Sequence, residues 1–230
     1  MAEIIPAIMP ANLEDLREKL ARVDGLVPLV QIDIMDGIFV PSRSWPFIEG
    51  GLDEFARIVA EEDGLPFWNT LDFEIDLMVS SPETAIRQWF AAGARRFIVH
   101  IESILDFEEI LDFFDVNIRA EDEGAELGVA LNVDTPNAVI EPFLDRVHFV
   151  QCMGIERIGF QNEPFDERVL ERIVDLRERY PDVILSVDGG VGLETASVLI
   201  EAGVDRLAVG SDLFESDDIE KTLREFQSLT

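Results

Sequence analysis

Three aspartates stand at the ends of apolar runs in this chain of 230 residues. Asp33 lies in Val30-Gln31-Ile32-Asp33-Ile34-Met35-Asp36-Gly37, Asp76 in Ile75-Asp76-Leu77-Met78, and Asp188 in Val187-Asp188-Gly189-Gly190-Val191. If the fold gathers these strand ends into one mouth, the carboxylates cannot all stay ionised cheaply. A bound cation or a shared proton must compensate. Either outcome is chemically useful, because a pair of carboxyls with separated pKa values supplies an acid and a base. Gly189-Gly190 and Gly210-Ser211 offer backbone N–H groups to an anion such as phosphate. Gly-rich turns alone are weak evidence for this, since glycine also ends helices.

The elements that must position these groups recur along the chain. Apolar runs rich in Val, Ile and Leu predict strands over Glu3–Met9, Leu29–Ile34, Phe73–Val79, Phe97–Ile101, Leu127–Leu131, Val147–Met153, Val183–Val187 and Leu207–Val209. Between them, segments of helical period predict helices over Leu13–Val23, Ile48–Glu61, Pro82–Ala92, Phe107–Asn117, Asn137–Leu144, Phe165–Tyr180, Leu193–Ala202 and Asp217–Leu229. Helix stops are marked by Gly93 and Gly203, and starts by Ser81-Pro82 and Thr135-Pro136 with proline at the first helical position. Strand–helix units of about 28 residues, with strands apolar on both faces, predict an α/β protein. Its fold is a (β/α)8 TIM barrel forming one domain over residues 1–230. In that fold functional groups gather at the C-terminal ends of strands, where all three aspartates lie. The irregular stretch Gly64–Leu71 falls on the other end of the barrel and reads as packing or an interface.

Composition narrows the classes. There are 48 Asp plus Glu against 18 Lys plus Arg, a net charge near −30, with 47% hydrophobic residues and 16 Phe, enough for a core. Such acidity excludes nucleic acid and anionic lipid as partners. No apolar run reaches the ~18 residues of a membrane span, and a cytoplasmic setting is expected. Cys152, the one cysteine, excludes an internal disulfide framework. Lysine depletion, with only Lys19 and Lys221, fits a protein tuned to high salt and fits an ordinary acidic enzyme equally.

Ile32-Asp33-Ile34-Met35-Asp36-Gly37-Ile38-Phe39-Val40-Pro41 resembles the V-D-V-M-D-G-x-F-V-P signature of the ribulose-phosphate 3-epimerase family. Pro6-Ala7-Ile8-Met9, Leu77-Met78, Val99-His100, Leu131-Asn132 with Thr135-Pro136, Val187-Asp188-Gly189-Gly190-Val191 and Gly210-Ser211 extend the resemblance nearly end to end. It implies epimerisation at C3 of a ketopentose phosphate, interconverting ribulose 5-phosphate and xylulose 5-phosphate or an analogue. Two aspartates, matching Asp33 and Asp188, would exchange the C3 proton through an enediolate. Methionines matching Met35, Met78 and Met153 would cap the intermediate. Gly189, Gly190, Gly210 and Ser211 would hold the phosphate. The implied partner is a small-molecule sugar phosphate, and a homo-oligomer is left open. A divalent metal is implied and no organic cofactor.

The departures fall in the site itself. The family's strand-two and strand-three histidines are Gln31 and Asp76 here, and its serine after Pro6 is Ala7. The remaining donor set of Gln31, Asp33, Asp76 and Asp188 is all oxygen, favouring Mg, Mn or Ca over Zn. The strand-six loop V-N-P-G-F-G-G-Q becomes Ile155–Asn162, losing glycines that would close over substrate. Arg157 in that loop reads either as an anion clamp or as a surface partner of Glu156 or Glu163. Asp212 follows Gly210-Ser211, where a carboxylate competes with phosphate for N–H groups. Three readings stay open: an epimerase with a hard metal and altered phosphate grip, a relative acting on a different sugar or sugar phosphate, or a non-catalytic binding barrel. Asp36 reads as a loop-shaping side chain, and His100 as a hydrogen-bonded core histidine rather than a metal ligand. His148 and Cys152 read as structural.

Overall fold

A computed structural model describes residues 2–229. Parallel strands β1 (Glu3–Ile8), β2 (Leu29–Met35), β3 (Asp72–Met78), β4 (Arg96–His100), β5 (Glu126–Leu131), β6 (Phe149–Met153), β7 (Ile184–Asp188) and β8 (Arg206–Val209) close in sequence order, with β8 pairing back on β1. Helices α1 (Leu13–Val23), α2 (Gly51–Val59), α3 (Pro82–Ala91), α4 (Phe107–Phe114), α5 (Arg168–Arg179), α6 (Leu193–Ala202), α7 (Ser211–Phe214) and α8 (Ile219–Gln227) lie outside. The architecture is the (β/α)8 barrel expected from the repeating strand–helix pattern.

Strand alternation divides the residues into two sets. Outward residues such as Val30, Ile32, Ile34, Ile75, Leu77, Val150 and Cys152 join the helix faces in the main core, with Leu16, Leu20, Ile86 and Leu176. Inward residues fill the barrel. Near the mouth Met35, Met78 and Met153 form a separate cluster, and deeper down Ile98, Ala130 and Phe149 form another.

Helix ends follow local chemistry. Asn12 accepts the Asp15 N–H at 2.9 Å to open α1, and Gly203 (φ 108°) closes α6 in the left-handed region. Expected and observed helices differ most over Asn137–Leu144, which is two 3₁₀ turns, Asn137–Val139 and Glu141–Phe143. Pro142 lies inside that segment and lacks the N–H that a continuous helix needs, and Pro136 precedes the first turn rather than standing within it. The helix expected from Ile48 begins at Gly51, because Gly50 is left-handed (φ 78°). After β8 the chain forms the extra short α7, and a wide turn over Asp115–Arg119 extends α4. In the stretch before β3, Leu65 and Leu71 are buried while Trp68 is exposed.

The base of the barrel is closed by charges paired in a low-dielectric space. Arg96 meets Glu74 at 3.3 Å and Glu126 at 2.8 Å, and Arg206 meets Glu3 at 3.3 Å and Glu126 at 3.6 Å. Both guanidinium groups lie over the Phe149 ring, at 5.8 and 4.9 Å from its centroid. Burial pushes the Glu74 carboxyl up to about 7, against the pull of Arg96 and Arg206. Room for the Phe149 ring comes from Gly128 on β5, where a Cβ would lie 2.5 Å from ring carbons. Gly128→Ala is therefore expected to destabilise the protein by about 1–3 kcal/mol through overpacking, read from urea unfolding curves. An unchanged midpoint would show that the ring shifts freely.

Candidate active site

At the other end the inward carboxylates meet without arginine. Asp33 and Asp76 are register partners on β2 and β3, and Asp188 ends β7. One oxygen from each lies within 4.8 Å of the others. Below them Gln31, fully buried, donates through Nε2 to Asp33 Oδ1 at 2.8 Å and to Asp188 Oδ2 at 2.9 Å. Its Oε1 is buried and accepts no hydrogen bond from the described residues.

Asp76 is held from behind. His100 Nε2 lies 3.0 Å from its Oδ1, and Gln151 Nε2 donates to its Oδ2 at 3.3 Å. Burial alone would lower the imidazole's pKa, but the adjacent Asp76 charge and hydrogen bond raise it above its ordinary value. His100 is thus a buried, hydrogen-bonded histidine set against one oxygen of Asp76. The Phe39 ring packs beside it, 5.6 Å between centroids.

The other two acids carry the unresolved charge. Burial, reinforced by the charges of Asp188 and Asp76, pushes the Asp33 carboxyl well above the usual carboxylate range. Burial and the Asp76 charge push Asp188 up to about 7, opposed by the Gln31 hydrogen bond. Burial and their mutual charge thus disfavour ionising both carboxyls at once. The arrangement also fits a hard divalent cation. Three converging carboxylates offer an all-oxygen donor set, and Gln31 Oε1 is a further buried oxygen with no partner among the described residues.

Above the acids, Met35, Met78 and Met153 pack with Val40, Ile155 and Ile158 as an apolar collar. A cavity of about 580 Å³ opens from Asp33 and Asp188 towards the loops after β6, β7 and β8, a size suited to a small metabolite. Gly189, Gly190, Gly210 and Ser211 all line it, as do Met78 and Met153; Gln31, Met35 and Asp76 lie outside its lining. Gly189 (φ 89°) and Gly190 (φ 67°) are left-handed, and a Cβ at either would strike Ile155 or Phe165, at 2.7 and 2.8 Å.

The strand-six loop lines this cavity from Gly159 to Glu163 despite its lost glycines. Asn162 takes the left-handed conformation (φ 57°) that asparagine tolerates, and its amide reaches Glu215 at 3.1 Å. Arg157 is not an anion clamp. It is absent from the lining, and it pairs with Glu163 while lying over Phe160. Asp212 reaches across to α6 and accepts the Leu193 N–H at 3.3 Å.

Asp36 shapes its loop, accepting from Ile38 N–H, Phe39 N–H and both the N–H and Oγ–H of Ser80. These bonds overcome partial burial and lower its pKa. His148 Nδ1 accepts the Leu127 N–H at 2.9 Å, and burial pushes the Cys152 thiol up to about 12, so both are structural. Ser44 is a supporting residue that the sequence pattern did not single out. Its hydroxyl donates to the Asp33 carbonyl at 2.8 Å and accepts the Met35 N–H at 3.0 Å, fixing the end of β2.

Comparison with known proteins agrees with this geometry. A family model described as the ribulose-phosphate 3 epimerase family matches residues 3–214. The chain is 29% identical over 233 residues to a ribulose-phosphate 3-epimerase of Bacillus subtilis, covering 99% of each protein. It is 30% identical over 227 residues to the chloroplastic ribulose-5-phosphate-3-epimerase of Arabidopsis thaliana, covering 96% of this chain and 74% of that one. Among solved structures, KGPDC from Streptococcus mutans superposes with a TM-score of 0.71 at 14% identity, covering 100% of this chain and 97% of that one, a likeness of fold.

Among the described residues the Gln31 amide is the donor shared by Asp33 and Asp188, so its loss leaves the buried Asp33 oxygen without that partner and removes a bond from half-buried Asp188. Gln31→Leu should cost about 1–3 kcal/mol in denaturant unfolding. Equal or greater stability would mean that carboxyl protonation alone relieves the crowding.

Proposed function

Because the chain belongs to the ribulose-phosphate 3-epimerase family, a family of sugar-phosphate epimerases, we propose that it inverts C3 of a ketopentose phosphate, interconverting ribulose 5-phosphate and xylulose 5-phosphate or a close analogue. The observation that carries this reading is the pair Asp33 and Asp188. They reach one mouth from β2 and β7, with β1 and β8 between them, and are joined by a single amide.

Inverting a carbon next to a carbonyl needs a base on one face and an acid on the other. The ionised member of the pair takes the C3 proton, leaving an enediolate. The protonated member returns a proton to the opposite face, and the two roles exchange in the reverse direction. Burial serves this cycle, since it raises both carboxyls above the ordinary carboxylate range, Asp188 to about 7. Gln31 holds both carboxyl groups in place. The Asp76–His100 pair anchors the third carboxylate without adding a mobile proton beside the sugar. Asp33, Asp76, Asp188 and Gln31 Oε1 would hold a hard divalent cation, Mg, Mn or Ca, and its positive charge would stabilise the enediolate oxygens. Met35, Met78 and Met153 keep water from the intermediate, and the Gly189, Gly190, Gly210 and Ser211 backbone receives the phosphate. The acidic surface supports a small-molecule partner rather than nucleic acid, and no helix among the described residues is long and apolar enough to cross a membrane.

Asp33→Asn and Asp188→Asn should each lower kcat/KM by about 10²–10⁴-fold and abolish exchange of the C3 proton with deuterated water. Exchange surviving either substitution rules out the two-aspartate mechanism. Mn²⁺ or Mg²⁺ should raise the thermal midpoint of the wild type, by about 2.7 kcal/mol of stability at 100 times Kd, and the shift should vanish in Asp76→Asn. Stoichiometric zinc retained through purification without added metal would contradict the hard-cation assignment.

A further inference from the structure

We infer that Asp212 is a specificity-determining residue whose carboxylate occupies part of the space meant for the substrate's distal anion and so weakens the grip on phosphate. This rests on the reading that the phosphate enters between the loops after β7 and β8. Asp212 and Glu194 line that part of the cavity, and Glu163 faces it from the β6 loop. With Asp33 and Asp188 at the sugar end, the lining holds carboxylates at both ends and no Lys, Arg or His. A phosphate there therefore meets only neutral donors, the backbone N–H groups and side chains such as Gln161 and Ser211.

Those groups are partly engaged already. The Gly192 N–H donates to Thr195 Oγ1 at 2.9 Å, and the Leu193 N–H donates to Asp212 Oδ2 at 3.3 Å. The same Asp212 oxygen lies against Gly192, where a Cβ would be 2.6 Å away. The first turn of α6 thus carries a negatively charged acceptor from within the chain. A phosphate dianion has to displace Asp212 from Leu193 or sit beside it, and like charges at contact distance repel strongly. The background field of a chain near −30 adds to this but acts at long range, so salt screens it. The Asp212 contact acts at hydrogen-bond distance, so salt weakens it less than it weakens the long-range field.

The test measures binding of inorganic phosphate by thermal shift, and KM and kcat for ribulose 5-phosphate, in wild type, Asp212→Ser, Asp212→Asn and Asp217→Asn. Asp212→Asn keeps an acceptor oxygen for the Leu193 N–H, so it removes charge without removing the cap. Asp217→Asn makes the same charge change on an exposed surface residue beyond α7. Asp212→Ser should tighten phosphate binding and lower KM about ten-fold, with KM changing more than kcat. Asp212→Asn should gain at least three-fold and Asp217→Asn less than two-fold, and the order should hold in 1 M NaCl. A gain below three-fold in phosphate affinity for both Asp212 variants, or an equal gain for Asp217→Asn, overturns the assignment. If no variant turns over any sugar phosphate but phosphate affinity follows the stated order, the epimerase reading fails while the role of Asp212 stands.

Discussion

Three carboxylates crowd one buried end of the barrel, and every neighbour that bonds them is a neutral amide or an imidazole. This crowding governs the rest of the site. His100 offsets part of the crowding at Asp76, because its imidazole sits 3.0 Å from one oxygen. Burial and the neighbouring charges raise the carboxyls of Asp33 and Asp188 above the ordinary carboxylate range. Gln31 bridges them without neutralising either.

The opposite end of the barrel solves the same electrostatic problem differently. Glu74 and Glu126 are buried or half-buried, but Arg96 and Arg206 meet them, and the Phe149 face takes both guanidinium groups. The carboxylates at the base are paired with arginines, whereas those at the mouth have none beside them. Glu74 on β3 belongs to the first and Asp76, two residues later, to the second. The chemistry of a residue here is set by its height in the barrel.

The strands were readable from the chain because burial on both faces demands runs of Val, Ile and Leu. The aspartates interrupting those runs were readable as site residues once the barrel was inferred. Closure of the ring was not readable in detail. Glu74, Arg96, Glu126 and Arg206 look like ordinary charges near strand starts until β8 returns to β1 and places them around Phe149. Gln31 could be seen as a replaced ligand, but its link to Asp188 depends on a strand far along the sequence. In the β6 loop the sequence showed which glycines were replaced but not that Asn162 takes a left-handed backbone. Pro142 was visible, and its effect on the Asn137–Leu144 segment outweighed the apolar spacing that suggested a helix.

The inward residues form tiers: ion pairs at the base, carboxylates above them, and methionine sulfur around the rim. Outward residues of the same strands do the work of holding helices to the sheet. A tier can therefore be rewritten one side chain at a time while the wall that supports it is untouched. Gln31 and Asp76, standing where the family pattern has histidines, are two such rewritings within a single tier. The barrel separates inheritance of shape from inheritance of chemistry, so lineages can trade one set of donor atoms for another without first risking the fold.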